Sequence, residues 1–235
     1  MITVASWNVL HRVHDENWGS DMATRWPDEA ARIAAVTAWI AERPEQVIAL
    51  QEVSGDQLAS LRSALSDKDI HALRYPRVPR PRNGTTPLQD PTEHLVLVLD
   101  EPGREIAAES FENDPGNGAL AVETAGVVIV TTHVTGDLRR ARQLARLAEL
   151  AAPDRVTVLL GDFNIDRTAV AAALGPDFTI ADLPPGSAPT RPRTSGTKSQ
   201  SIDHVIVRGT RVQDASVVAV DGLSDHNFVR ATITG

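Results

Sequence analysis

The chain has no cysteine, and that single absence closes off several chemistries. Disulfides, thiolate metal sites and a cysteine nucleophile are all excluded, so any metal must be held by oxygen or imidazole ligands. Such donors favour Mg²⁺ or Mn²⁺. No apolar run approaches the length that crosses a bilayer, and no membrane partner is expected. The opening Met1-Ile2-Thr3-Val4-Ala5-Ser6-Trp7 carries neither a basic leader nor a cleavage signal, which points to a cytoplasmic protein. Positive charge is also scarce. A net charge of −8 and a pI near 5.3 argue against tight, sequence-independent binding to long duplex nucleic acid, which relies on Lys and Arg at the phosphates. Internal repeats and low-complexity linkers are missing, and no Gly-rich motif surrounds Gly161 to cradle a phosphate.

What is present is an ordinary globular balance: 235 residues, 42% hydrophobic and 23% charged. One domain over 1–235 with a sizeable core is expected. Two stretches run against the acidic average. Residues 74–82 hold Arg74, Arg77, Arg80 and Arg82 with no acid, and 191–198 hold Arg191, Arg193 and Lys198, again with none. Two basic loops on an acidic protein suggest a small or short anionic substrate. Arg77, Arg80, Arg191 and Arg193 are therefore candidates to bind it.

The apolar pattern predicts strands at Ile2 to Trp7, Gln46 to Leu50, Leu95 to Leu99, Val127 to Thr132, Val156 to Leu160, Ile202 to Val207, Val212 to Val220 and Phe228 to Ile233. Helices are predicted at about Pro27 to Arg43, with Asp28 and Glu29 at its positive end, at Ser54 to Leu65 with Ser54 as N-cap, and at Asp137 to Leu150 with Leu138 on its apolar face. Residues 11–26, 75–91 and 184–200 read as loops, and 113–118 as a turn between strands. A strand-helix-strand opening followed by a strand-rich middle points to mixed sheets covered by helices. Periodicity alone leaves open whether two sheets pack face to face.

Polar residues recur where these strands end or begin. Asn8, Gln51 with Glu52, His133, and Asp162 with Asn164 follow strands, while Asp203 opens one and Asp225 with His226 precede the last. Strand ends hold side chains in fixed relation while leaving them open to a ligand. Several carboxylates converging with histidines would repel one another unless a cation sits among them, which makes a divalent metal the simplest reconciliation.

The words that carry these residues are Ser6-Trp7-Asn8-Val9-Leu10, Leu50-Gln51-Glu52-Val53, Thr132-His133, Leu160-Gly161-Asp162-Phe163-Asn164, Ser201-Ile202-Asp203-His204 and Ser224-Asp225-His226. In this order they resemble the endonuclease/exonuclease/phosphatase superfamily across nearly the whole chain. The resemblance implies a four-layer α/β sandwich, two mixed and mainly antiparallel sheets face to face with helices outside. It also implies metal-assisted hydrolysis of a phosphate ester by in-line attack of water. Glu52 would be the main metal ligand, with Asn8 and Asp225 near it. Asp162 would orient or deprotonate the water, Asn164 and His133 would bond the phosphate oxygens, and His226 would be held by Asp203. Glu93 falls where a nuclease-branch glutamate orients the histidine matching His133. His204 is expected to be structural and packed beside the site.

The four residues Trp7, Trp18, Trp26 and Trp39 read as core or cleft wall rather than stacking platforms, and His11 and His14 as loop residues. The opening words, with Arg25-Trp26-Pro27, resemble the deadenylase-like branch more than abasic-site nucleases. The expected substrate is a phosphorylated small molecule or nucleotide, or a short single-stranded nucleic-acid end. A nuclease on DNA or RNA and an inactive binding module are the rivals, and no protein partner is implied.

Overall fold

A computed structural model describes residues 1–19, 21–192 and 199–234. The chain opens with strand β1 (Ile2–Asn8) and three helices, α1 (Arg12–Trp18), α2 (Met22–Arg25) and α3 (Glu29–Ala41). Then come β2 (Val47–Ser54), α4 (Gly55–Ala64), β3 (Asp69–Arg74) and β4 (Glu93–Leu99). The middle is β5 (Arg104–Phe111), β6 (Asp114–Thr124), β7 (Val127–His133), α5 (Arg140–Leu150), β8 (Thr157–Asp162), α6 (Arg167–Leu174) and β9 (Phe178–Ile180). The end returns through β10 (Asp203–Arg208), β11 (Arg211–Val218) and β12 (Phe228–Thr234).

Two sheets of six strands result, ordered β11-β12-β1-β2-β4-β3 and β5-β6-β7-β8-β10-β9. In each, one central pair is parallel, β1 with β2 and β7 with β8, and every other pairing is antiparallel. A parallel pair needs a crossover, and the helices between those strands supply it. Three separate cores make the layers. Val4, Ala49 and Leu97 of the first sheet meet Leu120, Ile129 and Leu160 of the second. The first sheet's other face, with Ala5, Leu50 and Val96, packs under Val36 and Ile40 of α3 and Leu58 and Leu61 of α4. The second sheet's outer face, with Ala121, Val130 and Leu159, packs under Leu144 and Leu147 of α5 and Val170 of α6. Central strands are thus apolar on both faces, as a helix-sheet-sheet-helix stack demands. The sandwich implied by the motif order is the fold observed.

Several expectations are corrected in detail. Residues 11–26 are largely helical, because the His11 ring accepts from the Val13 amide as an N-cap and Gly19, in the left-handed region at φ 71°, closes α1. Strand β2 runs past Leu50 to Ser54 with a register shift between Leu50 and Val53. Asp114 to Gly118 lie in β6, so the turn falls before them. Leu138 is 90% exposed because α5 begins only at Arg140, and the preceding turn lies outside the helical period. Ser54 caps α4, its hydroxyl accepting from the Gln57 amide, as the sequence indicates. Among the described residues no helix is long and apolar enough to cross a membrane.

Candidate active site

The strands that carry the motif words all end at one edge of the sandwich. Asn8 closes β1, Glu52 lies in β2, His133 closes β7, Asp162 closes β8 and Asp203 opens β10. Register brings them together: Asn8 lies opposite Gln51, His133 opposite Asp162, and Asp203 opposite Asp162. Gly161 makes the pairing of His133 with Asp162 possible, since a Cβ there would sit 2.0 Å from the Thr132 carbonyl oxygen on the neighbouring strand.

Hydrogen bonds then tie the two sheets across the site. Asn8 Nδ2 donates to Glu52 Oε1 at 2.9 Å and to Asp162 Oδ2 at 3.1 Å, while Asn8 Oδ1 accepts from the Leu10 amide at 3.0 Å. Glu52 Oε2 accepts from the His11 amide at 3.0 Å. Asp162 Oδ1 accepts from the Asn164 amide at 2.9 Å, and Asn164 Nδ2 lies 3.2 Å from His133 Nε2. His226 Nδ1 lies 3.0 Å from both oxygens of Asp203. Its Nε2 is 3.7 Å from Asp162 Oδ2, and His133 Nε2 is 3.8 Å from the same oxygen. Spacings this long exceed a direct hydrogen bond and leave room for one bridging oxygen. Backbone strain concentrates here too. Leu10, Glu52 and Asn164 adopt positive φ of 61°, 57° and 53° without being glycine. Each costs about 1–3 kcal/mol and persists only where surroundings impose it; at Glu52 the local shift in register turns its carboxylate into the cleft.

The electrostatics separate the acids. Burial would raise Glu52, but the His14 and His133 rings and the Asn8 and His11 donors hold it well below the usual carboxylate range. Asp162 is pushed up, first by burial and then by the Asp203 charge. Burial works against Asp203 as well, yet His226 draws its carboxyl below the ordinary value. Although burial opposes it, His226 is raised to about 10 by Asp203, Asp225 and Asp162. Burial opposes His14 too, yet Glu52 and Glu93 raise it to about 9, so the site favours two imidazolium rings among its acids, beside one carboxyl with raised proton affinity.

A cleft of about 500 Å³ opens over these groups, lined by Glu52, Glu93, His133, Asn164, Arg191 and Asp225 among others. Asp162, Asp203 and His226 come within 4.8 Å of one another and could hold a metal ion. Asp203, however, turns both oxygens to the His226 ring, an arrangement suited to orienting a histidine. The cleft carries further oxygen donors. Glu52 lines it, and the buried Asp225 Oδ1 and Glu93 Oε2 have no hydrogen-bond partner. Orphaned carboxylate oxygens facing a cavity fit a hard divalent cation.

The other candidates fall variously. Asp225 Oδ2 accepts from Arg191 Nη2 at 2.9 Å, so Arg191 lines the cleft as that acid's partner. Glu93 meets His14 Nε2 at 3.1 Å, not His133, whose Nδ1 is buried without a partner. Arg77 lines the cleft, whereas Arg80 lines an adjoining hollow, and Arg193 lies outside the described residues. His204 Nε2 bonds the Ile165 carbonyl at 2.9 Å beside the Phe163 ring.

Sequence reasoning missed three contributors. His14 enters the cleft because its loop is a helix, and Asn117 lines it while donating to the His133 carbonyl. Arg32, buried on α3, bonds the carbonyls of Val9, Leu10 and Leu223. The His11-x-x-His14 spacing was the available signal for the first; nothing marked the others.

These elements define a known class. The chain belongs to the Endonuclease/Exonuclease/phosphatase family, which it matches over residues 5–226. Members of that family are hydrolases acting on phosphoesters. No curated protein matches the chain in sequence. Solved structures share the fold. TDP2 from C. elegans is 16% identical with a TM-score of 0.66, covering 100% of this chain and 75% of that one. A functionally unknown conserved protein from Enterococcus faecalis V583 is 16% identical with a TM-score of 0.70, each chain covered in full. TDP2 from D. rerio, complexed with a single-strand DNA product, is 13% identical at a TM-score of 0.68, with 100% and 99% coverage.

Proposed function

We propose that the protein is a divalent-metal-dependent phosphoesterase that hydrolyses a small or short phosphorylated substrate, a nucleotide or a single-stranded nucleic-acid end. The observation that carries this reading is the junction at Asp162 Oδ2, bonded by Asn8 and flanked by His133 and His226 at 3.8 and 3.7 Å. A water placed there is oriented by Asp162, whose raised proton affinity lets it take the proton as the oxygen attacks phosphorus. The new P–O bond forms in line with the ester P–O bond, which breaks with its electron pair on the leaving oxygen. His226, charged and fixed by Asp203, faces the negative charge that develops, and Asn164 with His133 bonds the equatorial oxygens. Glu52, with Asp225 and Glu93 lining the same cleft, would hold Mg²⁺ or Mn²⁺. Such a cation neutralises phosphate charge and supports the leaving oxygen. Asn8, its carbonyl taken by Leu10, acts in this reading as the donor that aligns Glu52 with Asp162.

Binding of single-strand DNA product by the D. rerio relative supports the nucleic-acid end among these substrates. The test is turnover of a phosphomonoester, a phosphodiester, a cyclic nucleotide and a short RNA, each with Mg²⁺, Mn²⁺ or EDTA, beside Asp162→Ala. Turnover that EDTA and the substitution both abolish is expected. Activity surviving either one would refute the assignment.

A further inference from the structure

Trp18 is the exception among the tryptophans. Trp7 is fully buried and joins Trp39 and Phe228 in an aromatic cluster, and the Trp26 indole donates to the Gly222 carbonyl. Trp18 instead is 71% exposed at the end of α1, where it lines both the catalytic cleft and an adjoining hollow of about 560 Å³. The indole is therefore open to a ligand from either space.

Its position is fixed rather than loose. Arg82 lies over the ring with its guanidinium carbon 4.1 Å from the centroid, and Arg82 lines neither cavity. Asn17 ties the arginine loop to α1, donating to the Arg80 carbonyl at 2.9 Å and accepting from the Arg82 amide at 2.7 Å. One face of the indole is thus backed by a cation, and its cavity side is presented to ligand. The cleft side of the indole is mixed in charge, with Glu52, Glu93 and Asp225 beside Arg77, but the hollow is basic. Arg77 lines both cavities and Arg80 the hollow, and among the described residues no carboxylate lines the hollow, in a protein of net charge −8. His14, which pairs with Glu93 on the cleft wall, and Trp18 stand four residues apart on α1, about 6 Å along one helix face.

We infer that Trp18 is a nucleobase-stacking platform and that the substrate is a nucleotide unit of a single strand, its base on Trp18 and its flanking phosphate on Arg77 and Arg80. Duplex bases, stacked on each other, cannot use an isolated indole; unpaired ones can. This inference rests on the phosphoesterase reading and narrows its substrate.

The test uses the full chain with Asp162→Asn, which holds ligand without turnover, in Mg²⁺. Binding is read by fluorescence anisotropy with a labelled thymidine tetranucleotide and with an abasic tetramer of the same phosphates. The tetranucleotide should bind about tenfold more tightly. Adding Trp18→Ala should remove that difference while leaving the abasic tetramer unchanged, and Trp18→Phe should keep most of it. Equal binding of the two ligands, or an equal loss for both on Trp18→Ala, would overturn the inference. Failure of the phosphoesterase reading shows separately, as an absence of hydrolysis by the protein with Asp162 intact.

Discussion

Replacing Arg32 with methionine should destabilise the protein more than any change to a catalytic side chain. The guanidinium is 5% exposed and makes five hydrogen bonds, two to Glu29 at 2.7 and 3.0 Å and three to the carbonyls of Val9, Leu10 and Leu223 at 2.8, 2.8 and 3.0 Å. Methionine fills similar space and satisfies none of them. Breaking a buried ion pair costs about 3–5 kcal/mol because the remaining charge is stranded. Arg12 Nη1 stays 3.5 Å from Glu29, so the lower figure applies. Three buried carbonyls losing their donor add about 1 kcal/mol each, the lower end of the usual penalty. The sum, about 6 kcal/mol, approaches the whole stability of a marginal domain. Urea unfolding followed by circular dichroism measures it as a fall in midpoint at constant slope. If Arg32→Met does not fold, the pair Arg32→Met with Glu29→Gln should, because the stranded charge is gone. A loss below about 1 kcal/mol, or a double variant no more stable than the single one, refutes the reasoning.

Other outcomes follow from the site and its frame. Asp162→Asn should keep substrate binding and lower kcat by about 10²- to 10⁴-fold, the usual share of a positioned proton acceptor, read in steady-state kinetics. Mn²⁺ at a hundred times its Kd should stabilise the protein by about 2.7 kcal/mol in thermal unfolding, and Glu52→Gln should abolish that gain. Gly161→Ala should destabilise by about 3 kcal/mol, because its methyl would meet the Thr132 carbonyl oxygen at 2.0 Å and neither strand can yield; an unchanged Tm would contradict this. His94 is buried and its pKa is lowered by that burial, so the unfolded chain binds the proton more readily. Its contribution should fade as pH falls below the unfolded value of about 6.5. The stability gap between the protein and His94→Gln should therefore narrow from pH 7.5 to pH 5.5 in urea titrations.

How much of this was legible in the sequence depends on what each residue had to signal. Asn8, Glu52, His133, Asp162 and Asp203 stand at the ends of continuous apolar strands, so their neighbours announced them. The face-to-face packing of the sheets came from the order of the motif words, because strands apolar on both faces look alike whether a helix or a sheet covers them. Helix α1 was read as loop since its cap is a histidine ring rather than Ser, Thr, Asp or Asn, and seven residues give too few turns for a period. With α1 went His14 and the exposed face of Trp18. Arg32 looked like any helical arginine; only the fold reveals that its fork reaches two loops at once.

Asn8 and Glu52 come from one sheet, whereas His133, Asp162 and Asp203 come from the other. The bond from Asn8 to Asp162 spans 154 residues of sequence and closes only when the sheets dock. Contacts so distant along the chain form late in folding. A chain trapped half folded therefore carries every side chain of the site and cannot yet bring them together. Under the proposed function, hydrolysis waits for the two sheets to dock, and recovery of turnover during refolding would time that step.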